Sequence, residues 1–282
     1  MNFEKNTKSF EAFSDSIYSS VKHTTYFPVY DHLLSKYFGK DITFVEVGIL
    51  EGGSLFMWKE LFGKNARIIG IDINNGALRW IEDGFEIFIG SQSDPKFWKD
   101  FYSKVGKIDV LLDDGGHSYE QQIVTVSESV DHINDAGTII IEDVSTSYLR
   151  EYGGPSKYSF SSYAKNISDG IMYRNFNFNK RNNSEKNIWN VQFFESIIAF
   201  HIDKSLCAID SKEVFNEGKN MPVSYFDYSA ERSEIVKKMG KFARTFKQNK
   251  LVYKIFISLN KIRKSLLSLL SGNKKLSKYF KY

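Results

Sequence analysis

A single cysteine, Cys207, in 282 residues excludes an intramolecular disulfide framework and any multi-cysteine metal site. The first sixteen residues, MNFEKNTKSFEAFSDS, contain no apolar core of the kind a secretory signal needs. No stretch approaches the roughly 18 consecutive apolar residues of a membrane span. A cytoplasmic, soluble protein is therefore expected. Acidic residues are missing altogether from residues 235–282, which carry 14 Lys and Arg. The rest of the chain then holds 24 basic against 34 acidic side chains, so the formal net charge of +4 conceals an acidic body and a strongly basic tail. The two need separate explanations.

At 42% hydrophobic and 16% aromatic, the chain can bury a sizeable core. Its most informative stretch is residues 108–117, IDVLLDDGGH, with an echo at residues 138–143, TIIIED. Both are apolar runs that end abruptly in carboxylates. Uninterrupted apolar runs read as buried strands, and open α/β sheets bind ligands beyond the carboxyl ends of their strands. Two adjacent strands of this kind bring Asp113, Asp114, Glu142 and Asp143 to one crevice, with His117 three residues past Asp114. Clustered carboxylates repel one another unless a cation lies between them.

The remaining elements build a frame around that crevice. Residues 1–22 read as a loose arm or weak helix. His23, Tyr26 and Tyr30 follow, each placed either to face a ligand or to pack at a helix start. That helix ends at Gly39. Residues 42–47, ITFVEV, form a first strand that runs into Gly48, Gly52, Gly53 and Ser54 and then a helix carrying Leu55, Trp58, Leu61 and Phe62 on one face. Strand, glycine turn and helix N-terminus make a nucleotide-type corner, because glycine permits close backbone approach and the helix end offers free N–H groups. The spacing is not G-x-G-x-x-G. Glu46, two residues before the first glycine, suits a cationic ammonium better than a pyrophosphate, unless it caps neighbouring backbone. Residues 66–71 form a second strand with Asp72 at its tip, where an acid accepts hydrogen bonds from ribose hydroxyls. A third strand, residues 86–89, leads to Gly90-Ser91-Gln92-Ser93-Asp94; Ser93 or Asp94 suits helix capping, leaving Ser91 and Gln92 for a ligand.

A helix over residues 118–133 and a fifth strand ending at Asp143 complete the alternation. Residues 144–190 read as an irregular, aromatic and polar loop, and residues 190–202 as a pair of strands. His32, His132 and His201 read as packed residues. The fold class is α/β: a doubly wound, mostly parallel Rossmann-like sheet with a C-terminal antiparallel hairpin, plus a basic amphipathic helical tail. The expected division is an N-terminal arm and helix at 1–40, a cofactor-binding domain at 41–230 and the tail at 231–282. In the tail, Val252, Ile255, Phe256, Leu259, Ile262, Leu266 and Leu270 share one helical stripe opposite Lys250, Lys254, Lys261 and Lys264, with Arg263 breaking the pattern. A helix of this type suits an anionic membrane surface, peripheral on the inner face, or a partner helix; a homo-oligomer is expected. No nucleic-acid partner is expected, since the body is acidic and no binding motif accompanies the tail.

The segments HTTYFPVY, VEVG…EGGSLFMWK, IIGIDI, GSQSD, IDVLLDDGGH and IEDVSTSY, in this order over about residues 23–203, resemble the class I S-adenosylmethionine-dependent methyltransferases. Within that class the chain looks most like the metal-dependent sugar O-methyltransferases that tailor macrolides and aromatic polyketides. DDG-x-H followed by IED is the specific combination. The resemblance implies S-adenosylmethionine and Mg²⁺ as cofactors and a sugar or glycan hydroxyl as acceptor. It places Tyr26, Glu46, Gly48, Gly52, Gly53, Ser54, Asp72, Ser91, Gln92, Asp113 and Asp114 at the cofactor. Asp72 would hold the ribose, and Ser91 with Gln92 would lie at the adenine. Asp114 and Asp143 would bind the metal with Glu142 as a third ligand, and His117 would be the general base. The basic tail has no counterpart in that family and points to an acceptor built at a membrane face, such as a surface polysaccharide. A sugar on a small natural product, an NAD-dependent oxidoreductase and a non-catalytic membrane assembly protein are the alternatives.

Overall fold

The structure, a computed structural model, describes residues 3–172, 185–212 and 214–218. Residues 1–213 form one compact unit; residues 214–282 form another, nearly all of it outside the described residues, so the amphipathic tail expected there is not described. Among the described residues no helix is long and apolar enough to cross a membrane.

Among the described residues seven strands make one sheet: β1 (Thr43–Val47), β2 (Arg67–Asp72), β3 (Glu86–Ile89), β4 (Ile108–Asp113), β5 (Ile133–Ile141), β6 (Ile188–Phe193) and β7 (Ile198–Ile202), in the order β3-β2-β1-β4-β5-β7-β6. The first five run parallel, and β7 joins β5 antiparallel and pairs with β6 as the expected hairpin. The doubly wound, mostly parallel sheet is as the sequence indicates. Chain order reverses between β1 and β4, the topological switch point where such sheets open a binding crevice.

Side chains alternate across the sheet, and this decides where each acid points. Phe44, Val110, Leu112 and Ile140 face a core shared with α2 (Tyr26–Leu34) and α3 (Gly53–Phe62). Val45, Val47, Leu111 and Ile139 face the opposite core, built on α4 (Pro95–Val105), α5 (Tyr119–Ser129) and α6 (Phe160–Met172). Glu46 therefore shares a face with Phe44, and Asp113 shares one with Leu111. Chain ends of helices are set locally: Ser118 and Gln121 form a reciprocal capping box on α5, and Asp94 accepts from the Lys96 N–H ahead of Pro95.

Several expectations need correction. Of the two readings of the arm the helical one holds over part of it, and it is not loose: α1 (Lys8–Ser14) is pinned to α2 by the Asp31 carboxylate, which accepts from the Lys8 and Ser9 N–H groups, and by Phe10 and Phe13 against Phe27. Residues 144–190 are not all irregular, because Phe160, Ala164 and Ile167 recur at helical spacing and bury one face of α6. The helix expected to reach Ile133 stops at Ser129, and Ile133 begins β5. That strand ends at Ile141; Asp143 lies beyond it in a left-handed conformation with φ 54°.

Candidate active site

The crevice lies at the carboxyl tips of β1, β4 and β5, where Val47 pairs with Asp113 and Asp113 with Ile141. Gly48 makes the tips converge. Its φ is +81°, and a Cβ there would stand 2.3 Å from the Asp114 carbonyl oxygen, so only glycine lets the β1 turn approach β4 so closely. Just past the sheet, Asp114, His117 and Asp143 each offer a ligand atom, all within 4.8 Å of one another. His117 also takes a positive φ, 57°, which folds its ring back toward the strand tips. Its Nε2 stands 3.6 Å from Asp143 Oδ2, while Nδ1 is buried without a partner among the described residues. Tyr26 donates to Asp143 at 2.5 Å.

Beneath this open group lies a buried one. Glu142 is fully buried, accepts from the Tyr30 hydroxyl at 2.5 Å and lies 3.0 Å from the Lys22 ammonium. Lys22 is 2.5 Å from Asp114 and 3.8 Å from Glu46, with its side chain only 2% exposed. Glu46 is also fully buried and accepts from Ser54 at 2.7 Å and Trp58 at 3.0 Å. Burial pushes the Glu46 carboxyl up to about 7, against the opposing pull of Lys22, Trp58 and Ser54. Glu142 is pushed up as well, again chiefly by burial. Burial alone would lower the Lys22 pKa, but Glu142, Asp114 and Glu46 outweigh it and the ammonium is held charged.

The Glu46 shift has a consequence for stability. Unfolded, Glu46 titrates near 4.5; folded, near 7. Between these values the folded state holds a proton that the unfolded state lacks, so stability falls as pH rises through the window. The melting temperature of the metal-free protein is expected to decline between pH 5 and pH 7 in thermal unfolding monitored by circular dichroism. A midpoint that rises over this window contradicts the assignment.

The expected cofactor residues divide into two groups. Gly48, Gly52, Gly53, Ser54 and Asp72 line the β1 corner, with Gly52 at the N-cap of α3 and Asp72 accepting from the Ile49 and Asn74 N–H groups. A cavity of about 390 Å³ opens beside Asp72, bounded by Glu51, Asn74, Arg79 and Trp80 and by Tyr18 and Ser19 of the arm. Ser91 is half-buried, bonded to Ser93 at the tip of β3. Gln92 and Asp113 lie deeper. The pleat turns Asp113 toward α5, where it accepts two hydrogen bonds from Gln92 Nε2, and Gln92 Oε1 accepts from the Gly116 N–H. Both are buried and brace the DDGGH turn. Glu46 is likewise buried, against Ser54, Trp58 and Lys22. Glu142 lies in the buried group, and His117 stands beside Asp114 and Asp143. Lys22 was missed because it stands in a polar stretch without periodicity; its only signal was position, just before His23. His32 is exposed and bonded to Gln192, His132 stacks on Tyr102, and His201 sits half-buried on β7, all away from the crevice.

No protein-family model matches the chain. It is 27% identical over 162 residues to the 8-demethyl-8-alpha-L-rhamnosyl tetracenomycin-C 2'-O-methyltransferase of Streptomyces olivaceus, covering 54% of this chain and 42% of that protein. It is 28% identical over 159 residues to the demethylmacrocin O-methyltransferase of Streptomyces fradiae, covering 52% and 40%. The chain is similar to O-methyltransferases over about half its length. Its fold is similar to that of the MycE methyltransferase of the mycinamycin pathway, solved in complex with Mg, SAH and mycinamycin VI, which matches with a TM-score of 0.61 at 21% identity over 72% of this chain and 54% of that one. The chain spans about two-fifths of the length of these curated relatives. In a methyltransferase fold, the crevice at β1 and β4 is the position expected of a binding site.

Proposed function

We propose that the protein transfers a methyl group from S-adenosylmethionine to a sugar hydroxyl in a reaction assisted by Mg²⁺. The observation that carries this reading is the convergence of Asp114, His117 and Asp143 at one point beyond β4 and β5. The two O-methyltransferase relatives, which act on a rhamnosyl tetracenomycin and on demethylmacrocin, supply the acceptor class. The cavity beside Asp72 is suited to the nucleoside part of the cofactor, with the Asp72 carboxylate accepting from ribose hydroxyls.

Asp114 and Asp143 are the oxygen donors Mg²⁺ prefers, which leaves the His117 nitrogen for the proton. Bound there, the ion would supply Lewis-acid stabilisation of a developing alkoxide. His117 takes the hydroxyl proton as the oxygen attacks the methyl carbon and the carbon–sulfur bond breaks. The acidic crevice favours a positively charged sulfonium. Tyr26 holds Asp143 in place, and Tyr30 and Lys22 hold Glu142 and Asp114. The basic residues 235–282 support an acceptor assembled at an anionic membrane surface, such as a polysaccharide intermediate.

A dinucleotide cofactor finds less support: the turn after β1 is G-x-x-x-G-G, with a carboxylate buried under it. Calorimetric titration with S-adenosylmethionine and with NAD, with and without Mg²⁺, tests the choice. Binding of S-adenosylmethionine alone is expected; binding of NAD instead would overturn the reading.

A further inference from the structure

The arm that carries Lys22 is built into the cofactor corner. Ser16 Oγ donates to the Gly53 carbonyl at 2.8 Å, and Tyr18 packs on Phe56 and Trp80 with ring centroids 4.9 and 4.7 Å apart. The arm's backbone passes so close to α3 that a Cβ on Gly53 would stand 2.2 Å from the Ser19 carbonyl oxygen. Tyr18 and Ser19 also wall the cavity beside Asp72. Three residues past Ser19, Lys22 ends among three carboxylates, one of which, Asp114, also belongs to the open Asp114–His117–Asp143 group. One carboxylate therefore serves two cationic positions.

We propose that Lys22 is a specificity-determining, positioning residue: its ammonium is the resident counter-cation of the acidic crevice and sets how tightly a divalent ion is admitted. The inference rests on the methyl-transfer reading and deepens it. Four carboxylates, Glu46, Asp114, Glu142 and Asp143, meet here, and Lys22 neutralises part of their charge from the buried side. A divalent ion reaching Asp114 must share that carboxylate with an ammonium 2.5 Å from it, and like charges so placed oppose each other. The crevice thus has a built-in brake on cation affinity. Because the chain bearing the brake also walls the cavity, metal binding and cofactor binding are coupled through it, and such coupling is reciprocal.

The test is calorimetric titration of the full chain with Mn²⁺, and separately with S-adenosylmethionine, for the unsubstituted protein and Lys22→Met. Removal of the ammonium is expected to tighten Mn²⁺ binding by on the order of tenfold, as loss of one nearby like charge should. In the unsubstituted protein each ligand is expected to alter the affinity of the other about fivefold or more, a dependence that Lys22→Met removes. Lys22→Arg keeps the charge and is expected to keep the weaker Mn²⁺ affinity. Should Lys22→Met not fold, Lys22→Gln, which keeps a hydrogen-bond donor without the charge, decides the matter. Mn²⁺ affinity within twofold of the unsubstituted protein, or no Mn²⁺ binding by either protein, overturns the proposal. Mn²⁺ binding by the variant alone supports it in its strongest form. S-adenosylmethionine binding in the same experiment separates the two levels: its absence sinks the methyl-transfer reading, whereas its presence with unchanged Mn²⁺ affinity sinks the Lys22 proposal alone.

Discussion

Replacing His117 by alanine is expected to lower kcat by about 10²–10⁴-fold, the usual contribution of a positioned general base, with binding of S-adenosylmethionine and Mn²⁺ retained. The expectation follows from geometry. The imidazole is partly exposed, at 23%, and lies beside two carboxylates, and its Nδ1 has no partner among the described residues. Its hold on the fold is through the backbone, where Thr146 donates to the His117 carbonyl at 3.1 Å, so truncating the ring removes little structure. Methyl-transfer rate, together with calorimetric binding of the two cofactors, separates loss of chemistry from loss of binding. A fully active His117→Ala protein removes the residue from the mechanism. One that loses Mn²⁺ binding as severely as an Asp114 variant assigns the ring to the metal instead.

Asp114→Ala should fail differently. The Asp114 carboxylate faces both the open group and Lys22, and removing it leaves Lys22 still paired with Glu142 and Glu46. The fold is therefore expected to survive. Activity should fall by about 10³-fold or more, corresponding to several kcal/mol of lost charge stabilisation, and what remains should no longer rise with added Mg²⁺. The measurement is initial rate against Mg²⁺ concentration for the two proteins. Activity that stays Mg²⁺-dependent with an unchanged half-saturation would place the ion elsewhere.

The contrast between these two neighbours, three residues apart, depends on details the linear pattern carries unevenly. Strand and helix alternation over residues 42–143 was legible because buried parallel strands are continuous apolar runs, and because each ends in a glycine or an acid at the sheet edge. The hairpin of β6 and β7 was legible for a similar reason. α6 was not, because its apolar residues are diluted by serine, asparagine and tyrosine until tertiary packing selects one face.

Within the site, the sequence by itself determined the inventory: an apolar strand ending in Asp113 and Asp114, another ending near Glu142 and Asp143, His117 close behind, and a glycine turn above Glu46. Only the tertiary structure sorted these acids. The pleat sends Asp113 to the α5 face, where Gln92 holds it, and sends Glu46 to the α3 face, under Ser54 and Trp58. The left-handed turns at His117 and Asp143 bring those two side chains back over the strand tips. Lys22 joins Glu46, Asp114 and Glu142 from 24 to 120 residues away, a placement set by the packing of α1, α2 and α3 rather than by any local pattern. Spacing along a strand or helix is a local property written into consecutive residues. Which carboxylate is buried, paired or open depends on what distant segment packs against it.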